Sequence, residues 1–313
     1  MTRALAPLAA LALALATSAH AAPPAADVRI DDTRVFPESL SADRAGRLYI
    51  GSFKGTIFRT APSGTEAEPW IRPDSANGLL AVLGVLVDEP RRTLWVCSTP
   101  MPIRVPPAVG TSALVAFDLA TGKMKARYEL PPPVSACNDI TIARDGTTFV
   151  SDTANGRIFT LAPGARALAL YAEDKAALTG IDGIAFDAGG RLYLNNVRAN
   201  TMYRVAMTPG GRFDRLVPLV LSQPVSGPDG LRLWHDSTFL QAEGMGGKVT
   251  VVTIADDKAT IRDLRTGLDG APGVTLARGR AYALEGKIRF VVVPAFKDQD
   301  PGAFMVRAIE LPR

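Results

Sequence analysis

Six stretches of this chain can be laid under one another as strand, turn and returning strand. They are "PESLSADRAGRLYIGS" from Pro37, "LGVLVDEPRRTLWVCS" from Leu83, "CNDITIARDGTTFVSD" from Cys137, "IDGIAFDAGGRLYLNN" from Ile181, "PDGLRLWHDSTFLQAE" from Pro228 and "APGVTLARGRAYALEG" from Ala271. Their second residues are Glu38, Gly84, Asn138, Asp182, Asp229 and Pro272, spaced by 46, 54, 44, 47 and 43 residues. A repeat of roughly 40–50 residues built from short strands is the signature of propeller blades. The fourth copy shows the local pattern: Ile184 and Phe186 alternate with Ala185, Ala188-Gly189-Gly190 supplies the turn, and Leu192-Tyr193-Leu194 returns. The stretches "GTIFRT", "GRIFTL", "NTMYRV" and "KVTVVT" read as third strands. Outside the N-terminus almost no segment keeps a helical period, and "EDKAAL" (173–178) is at best a short helix. The class is all-β and the architecture a six-bladed β-propeller. A β-sandwich, or two stacked all-β domains, is the rival, and six in-phase copies without a linker argue against it.

In a propeller the first strand of each blade lines the central channel, so the second residue of each copy projects at one mouth of it. Four of the six carry oxygen: Glu38, Asn138, Asp182 and Asp229. Three carboxylates pushed together repel and raise one another's pKa unless something positive compensates. A hard cation does this, and oxygen-only ligands suit Ca²⁺, Mg²⁺ or Mn²⁺. The expectation is one divalent cation, Ca²⁺ first, held by Glu38, Asp182 and Asp229 with Asn138 beside it. Read singly, each of these residues is equally a turn cap. The chain has 2 His, one of them in the N-terminal apolar segment, so a His-based zinc site is excluded. His235 falls in the turn of the fifth copy and is expected in solvent.

The N-terminus "MTRALAPLAALALALATSAHA" combines Arg3, an apolar run over 5–16 and Ala19-His20-Ala21 as a small-x-small cleavage site. It reads as a signal peptide over 1–21, and the run is short of the ~20 residues that span a bilayer. The expected product is a single propeller domain over 22–313, periplasmic or secreted if the source is bacterial. Lys plus Arg number 35 against 31 Asp plus Glu, scattered without a basic run beyond Arg91-Arg92. That distribution points to a small-molecule partner and away from nucleic acid and membrane surfaces. Cys97 ends the second strand of the second copy and Cys137 begins the third, which puts both on one face of neighbouring blades. A disulfide and two buried thiols both fit, and neither cysteine has a His to activate it.

The stretches "PES", "CNDITIARDGTTFVSDT", "GIDGIAFDAGGRLYLNN" and "GPDGLRLWHDSTFLQAEG" resemble the senescence marker protein/gluconolactonase family, which includes luciferin-regenerating enzymes. These are six-bladed propellers related more distantly to paraoxonases and strictosidine synthases. The resemblance covers nearly the whole chain after the leader and is most specific at "GPDGL". It implies a divalent ion (Zn²⁺ also admitted) held by Glu38, Asp182 and Asp229, with Asn138 near metal or substrate and Asp229 as general base. Two positions depart from the family pattern: Asp182 stands where Asn is usual in a "PNG" motif, and "FPES" replaces "EGP" followed by an aromatic. The Asn138-Asp139 pair resembles paraoxonases, in which such an aspartate helps hold a second, structural calcium; a turn cap is the alternative for Asp139.

The chemistry implied is hydrolysis of a lactone, a sugar lactone or related ester, with the ion polarising the carbonyl and a carboxylate activating water. Substrate contacts are expected from loops after the second strands: Asp152, Asn195, Asn196 and Glu243, and Arg104 in the proline-rich loop 98–112. Two other classes stay open, a non-catalytic ligand- or partner-binding propeller and metal-free chemistry of the strictosidine-synthase type.

Overall fold

A computed structural model describes residues 26–101 and 110–312 of the chain. The candidate leader (1–21) and Arg104 lie outside the described residues. Four-stranded antiparallel sheets succeed one another along the chain, and the expected period is the blade. Blade 1 comprises Pro37–Ala42, Leu48–Ser52, Ile57–Thr60 and Glu66–Ile71. Blade 2 comprises Ala81–Asp88, Thr93–Thr99, Ala113–Asp118 and Met124–Glu129. Blades 3 and 4 open on Cys137–Ile142 and Ile181–Phe186, and blade 5 on Pro228–His235. Every hairpin pairs antiparallel with the registers that alternation requires, such as Ile184 with Leu194 and Phe186 with Leu192. The short helix expected at "EDKAAL" is Lys175–Leu178, capped by Asp174, whose carboxylate accepts from Ala176 N and Ala177 N.

The ring closes through both chain ends. Blade 6 is built from Val274–Ala277, Arg280–Leu284 and Phe304–Ile309, with Val28–Ile30 from the N-terminal side as its fourth strand. Val28 pairs with Val306 antiparallel, and Arg29 pairs with Glu66 of blade 1 in parallel, so one strand joins the first and last blades. The Asp27 carboxylate holds the seam, accepting from Arg307 Nη1 at 2.7 Å and Ala308 N at 2.9 Å. "KIRFVVV" reads as a strand but forms the helix Arg289–Val292, because Phe304–Ile309 already takes the third-strand edge and Phe290 turns into the apolar contact between blades 6 and 1.

The core is distributed rather than central. Six apolar clusters lie one at each blade-to-blade contact; that between blades 1 and 2, for example, joins Tyr49 and Ile57 to Val82, Val96 and Phe117. Burial of such side chains at roughly 25 cal/mol per Å² supplies the drive for blades to stack face to face. At the end of the ring remote from the candidate carboxylates, arginines clasp the turn of the next blade: Arg91 Nη2 donates to Gly146 O at 2.7 Å, Arg144 to Ala188 O and Arg278 to Gly46 O. Cys97 and Cys137 are joined in a disulfide that links blades 2 and 3 and closes a sequence separation of 40. No helix among the described residues is long and apolar enough to cross a membrane.

The closure carries a test. Deleting residues 304–313 removes the strand that bears the fully buried Phe304 and Val306 and strips Val28–Ile30 of its antiparallel partner. The truncated chain is expected to be insoluble or rapidly cut in limited proteolysis, and an unchanged melting temperature would contradict the seam described here.

Candidate active site at the channel mouth

A register irregularity recurs at the start of the inner strands. Pro37 faces Ser52 and Leu40 faces Ile50; Cys137 faces Asp152 and Ile140 faces Val150; Ile181 faces Asn196 and Ile184 faces Leu194; Pro228 faces Glu243 and Leu231 faces Gln241. Each inner strand thus gains one residue on its partner, which is a β-bulge, and bulges re-aim side chains next to functional sites. The bulged segments are Glu38-Ser39, Asn138-Asp139, Asp182-Gly183 and Asp229-Gly230. Blade 2 bulges between Val82 and Gly84. Its channel residue is therefore Leu83, one place before the Gly84 expected from the repeat.

In four blades the residue after the channel residue is a glycine that has no room for a side chain. A Cβ on Gly84 would collide with the Asn138 carbonyl, and one on Gly183 with the Asp229 carbonyl; Cβ positions on Gly230 and Gly273 lie 3.0 and 2.9 Å from the carbonyl oxygens of Pro272 and Glu38. In these four contacts the channel-residue carbonyl leans into the glycine of the preceding blade, and Ser39 and Asp139 occupy the other two positions. That is why an acidic residue precedes glycine in "IDG" and "PDG": the first faces the axis and the second admits the neighbour's backbone.

Polar side chains of the second strands fix this arrangement. Ser151 Oγ accepts from Asp139 N at 2.9 Å and donates to Asp182 O at 2.9 Å. Asn195 Oδ1 accepts from Gly183 N at 2.8 Å while its Nδ2 donates to Asp229 O at 2.7 Å. The same geometry corrects part of the sequence reading. Asn195, expected to touch substrate, is fully buried and committed to two inner strands. Glu243 is likewise buried and caps the loop before blade 5, its Oε2 accepting from Ser226 N at 2.7 Å. Asp152 and Asn196 serve the corresponding loops of blades 3 and 4.

Glu38, Leu83, Asn138, Asp182, Asp229 and Pro272, one from each blade, surround a space of about 10 Å³ on the channel axis. That is room for one small ion or one water. Asn138 Nδ2 donates to Asp182 Oδ2 and to Thr153 Oγ1, both at 2.9 Å, which leaves its carbonyl oxygen as an acceptor. Burial is the main cause that pushes all three carboxyls up: Glu38 and Asp229 stand well above the usual carboxylate range and Asp182 at about 8, with the neighbouring carboxylates adding to the effect. Asp182 and Asp229 interact side chain to side chain, and with both carboxyls pushed up the pair shares a proton.

Beside them lies a residue that the repeat did not flag. Arg232, three places after Asp229 on the same strand, reaches across to blade 3 and grips Asp139 with two hydrogen bonds, Nη1 to Oδ2 at 2.7 Å and Nη2 to Oδ1 at 2.9 Å. Asp139 Oδ2 also accepts from Ile184 N at 3.1 Å. Both Asp139 oxygens are therefore taken up by the protein, and an internal guanidinium stands where a second ion was considered. The signal available in the sequence was positional. At the place of Arg232 the other blades carry Ser41, Leu86, Thr141, Ala185 and Thr275, so one copy alone puts a charge on a channel-lining strand.

With Asp139 neutralised by Arg232, three carboxylates remain without a fixed counter-charge. The donor set, all oxygen and anionic, fits a hard divalent cation in composition and charge. Among the described residues no three His, Cys, Asp or Glu side chains stand in a metal-holding arrangement, and Asp182 and Asp229 lie against each other. A cation would take the place of the proton between them.

No protein-family model and no curated protein sequence matches the chain. Solved structures do. A gluconolactonase from Xanthomonas campestris superposes with a TM-score of 0.62 at 18% identity, over 88% of this chain and 87% of that one. Luciferin-regenerating enzyme gives 0.65 at 11% identity over 89% and 92%, and virginiamycin B lyase from Staphylococcus aureus 0.59 at 12% over 91% and 98%. At these identities the likeness is one of fold. The β-propeller read from the repeat is the fold of these proteins, and gluconolactonase and luciferin-regenerating enzyme are the propellers to which its motifs pointed.

Two expectations test the site. Arg232→Met leaves Asp139 buried and unpaired and should lower stability by about 3–5 kcal/mol in chemical denaturation. The double variant Asp139→Leu/Arg232→Met should recover most of it; equal loss in both would contradict the pairing. The second concerns pH. The ring carboxyls bind protons more tightly folded than unfolded, where they titrate near pH 4. In cation-free buffer their contribution is therefore fully present below about pH 4 and is lost as pH rises through about 8, the value for Asp182. The melting temperature of chelated protein should fall over that window, and a flat or rising profile would refute the assignment.

Proposed function

We propose that this protein is a divalent-cation-dependent hydrolase acting on a lactone or related ester at the channel mouth. The observation that carries the reading is the convergence of Glu38, Asp182 and Asp229 with the Asn138 amide around a space of about 10 Å³, three carboxylates beyond what Arg232 neutralises. Glu38, Asp182, Asp229 and the Asn138 carbonyl oxygen would hold the ion, Ca²⁺ in preference to Mg²⁺, Mn²⁺ or Zn²⁺. The ion, when bound, supplies Lewis-acid polarisation of the ester carbonyl. Asp229, ionised once the ring holds a cation, would take the proton from the attacking water. Asn138, held by Thr153 and Asp182, orients the ring. Asn195 and Ser151 keep the inner-strand backbones in place while charge shifts at the ring. The fold relationship to a gluconolactonase supports this reading.

A second reading is favoured by the Asp182–Asp229 hydrogen bond: a cation-free channel in which the pair shares a proton and Arg232 is the fixed positive charge. Elemental analysis of purified protein, with a thermal shift on adding Ca²⁺, Mg²⁺, Mn²⁺ or Zn²⁺, separates the two. One ion per chain and a raised melting temperature are expected; neither would sink the hydrolase proposal.

Substitutions then divide ligand from base. Asp229→Asn keeps an oxygen for the ion but removes the basic group, and turnover of a susceptible lactone should drop by about 10²- to 10⁴-fold with only modest weakening of ion binding. Asp182→Asn retains an oxygen and sheds a charge, and should cost far less. Activity unchanged in Asp229→Asn would overturn its role as base.

A further inference from the structure

One position of the second strand lies beside the channel residue in every blade, and the registers name its six occupants: Gly51, Cys97, Ser151, Asn195, Ala242 and Leu284. Gly51, Ala242 and Leu284 have no side-chain group that can hydrogen-bond or cross-link, and the other three are consecutive. Ser151 donates to the carbonyl of Asp182 and Asn195 to that of Asp229, each reaching from its own blade to the channel residue of the next. Cys97 makes the same reach covalently: its disulfide partner Cys137 directly precedes Asn138, the channel residue of blade 3. The three ties therefore serve blades 3, 4 and 5, whose channel residues are Asn138, Asp182 and Asp229. Cys97, Cys137, Ser151 and Asn195 are all fully buried. Cys97 also stands close behind the channel residue it ties, since a Cβ on Gly84 would lie 2.0 Å from the Asn138 carbonyl oxygen and 3.3 Å from Cys97 Cβ. From Asn138 the constraint passes into the ring, because its Nδ2 donates to Asp182 Oδ2 at 2.9 Å. Thr99 and Ser112 of blade 2 hold the backbone of Cys137 separately, Thr99 Oγ1 donating to Cys137 O at 2.7 Å and Ser112 Oγ accepting from Cys137 N at 2.8 Å.

We infer that the Cys97–Cys137 disulfide is a positioning element of the channel ring, the covalent member of a set of three ties with Ser151 and Asn195. It sets where the Asn138 carbonyl oxygen stands and, through the Asn138 amide, where the Asp182 carboxylate stands. The inference rests on the cation reading above and names residues that give the ring its affinity without touching the ion. A disulfide serving stability alone could join any two strands that pass at the right distance. This one replaces the hydrogen bond made at the same position in the next two blades, and it ends one residue from a proposed ligand. Groups that hold ligands in place are commonly worth about 10- to 100-fold in metal affinity. Loss of the cross-link lowers stability by freeing the unfolded chain, whereas loss of the tie moves a ring oxygen. The two effects can be parted, because Cys97→Ser supplies the hydroxyl that Ser151 uses.

The test compares two variants of the full-length protein stripped of ions by chelation, Cys97→Ala/Cys137→Ala and Cys97→Ser/Cys137→Ala. Both lose the cross-link and should melt at the same lowered temperature, with Thr99 and Ser112 keeping the strand docked. Affinity is measured by calorimetric titration with whichever of Ca²⁺, Mg²⁺, Mn²⁺ or Zn²⁺ binds the unaltered protein. The dissociation constant should rise at least about tenfold in Cys97→Ala/Cys137→Ala and return to within about threefold of the unaltered protein in Cys97→Ser/Cys137→Ala. Ser151→Ala keeps the cross-link and removes the neighbouring tie; it should weaken ion binding several-fold, and it carries the test if the double variants do not fold. Equal affinity in the two double variants, or an unchanged dissociation constant in Ser151→Ala, would overturn the inference while leaving the hydrolase reading in place. No ion bound by the unaltered protein would instead overturn that reading, and the positioning role with it.

Discussion

The close approach of six inner strands at the axis is the constraint from which the rest of this structure follows. Channel-residue carbonyls of four blades press toward the glycine of the preceding blade, where a side chain does not fit, while Ser39 and Asp139 stand at the other two positions. Satisfying the backbone groups there falls to second-strand side chains such as Ser151 and Asn195, each of which bridges the bulge of its own blade to the channel carbonyl of the following one. The channel residues are therefore fixed at both ends: their backbones by this relay and their direction by the bulge. Side chains held this way are pre-organised, so a ring of carboxylates can be assembled without paying for its ordering at the moment of reaction.

Such a ring opposes folding. Burying Glu38, Asp182 and Asp229 together disfavours their ionised forms, and the proteins that keep such groups offset them elsewhere. Here the offset is spread around the circumference, in six apolar clusters, the arginine clasps at the far turns, the Cys97–Cys137 disulfide and the strand Val28–Ile30 that seals blade 6 to blade 1. A closed ring suits the purpose because it has no free edge: loss of one blade contact is resisted by the other five, and an unfavourable centre does not open a seam. Arg232 reduces the electrostatic load by one charge and leaves the remaining imbalance on the three carboxylates nearest the mouth.

Much of this was legible in the sequence because it is periodic. Strand alternation, turn glycines and the carboxylate–glycine pairs recur at blade spacing, so Glu38, Asn138, Asp182 and Asp229 could be placed on one ring. The phase of blade 2 could not: its inner strand lacks a polar residue at the bulge, and "LGV" offers no mark to distinguish Leu83 from Gly84 as the channel residue. Arg232 and Asp139 lie 93 residues apart and meet only because blades 3 and 5, with blade 4 between them, both turn their inner strands to the axis. Asn195 and Glu243 have the right residue types and the right end of the strand, but which way they face depends on the neighbouring blade's backbone, to which no local pattern refers. The segment at 289–292 combines β-branched residues with an i, i+3 pair, Ile288 and Val291, packed against the blade 6–blade 1 cluster, and tertiary packing overrides strand propensity there.

Propellers of this kind hold their blades alike and vary what stands at the axis and around the mouth, so a superposition with both a gluconolactonase and a virginiamycin B lyase decides nothing between their chemistries. The deciding features are few and local. An all-oxygen ring without histidine matches the ligand chemistry of a hard ion. Arg232 gives both terminal nitrogens to Asp139, which leaves its buried Nε as the one donor of the guanidinium without a partner among the described residues.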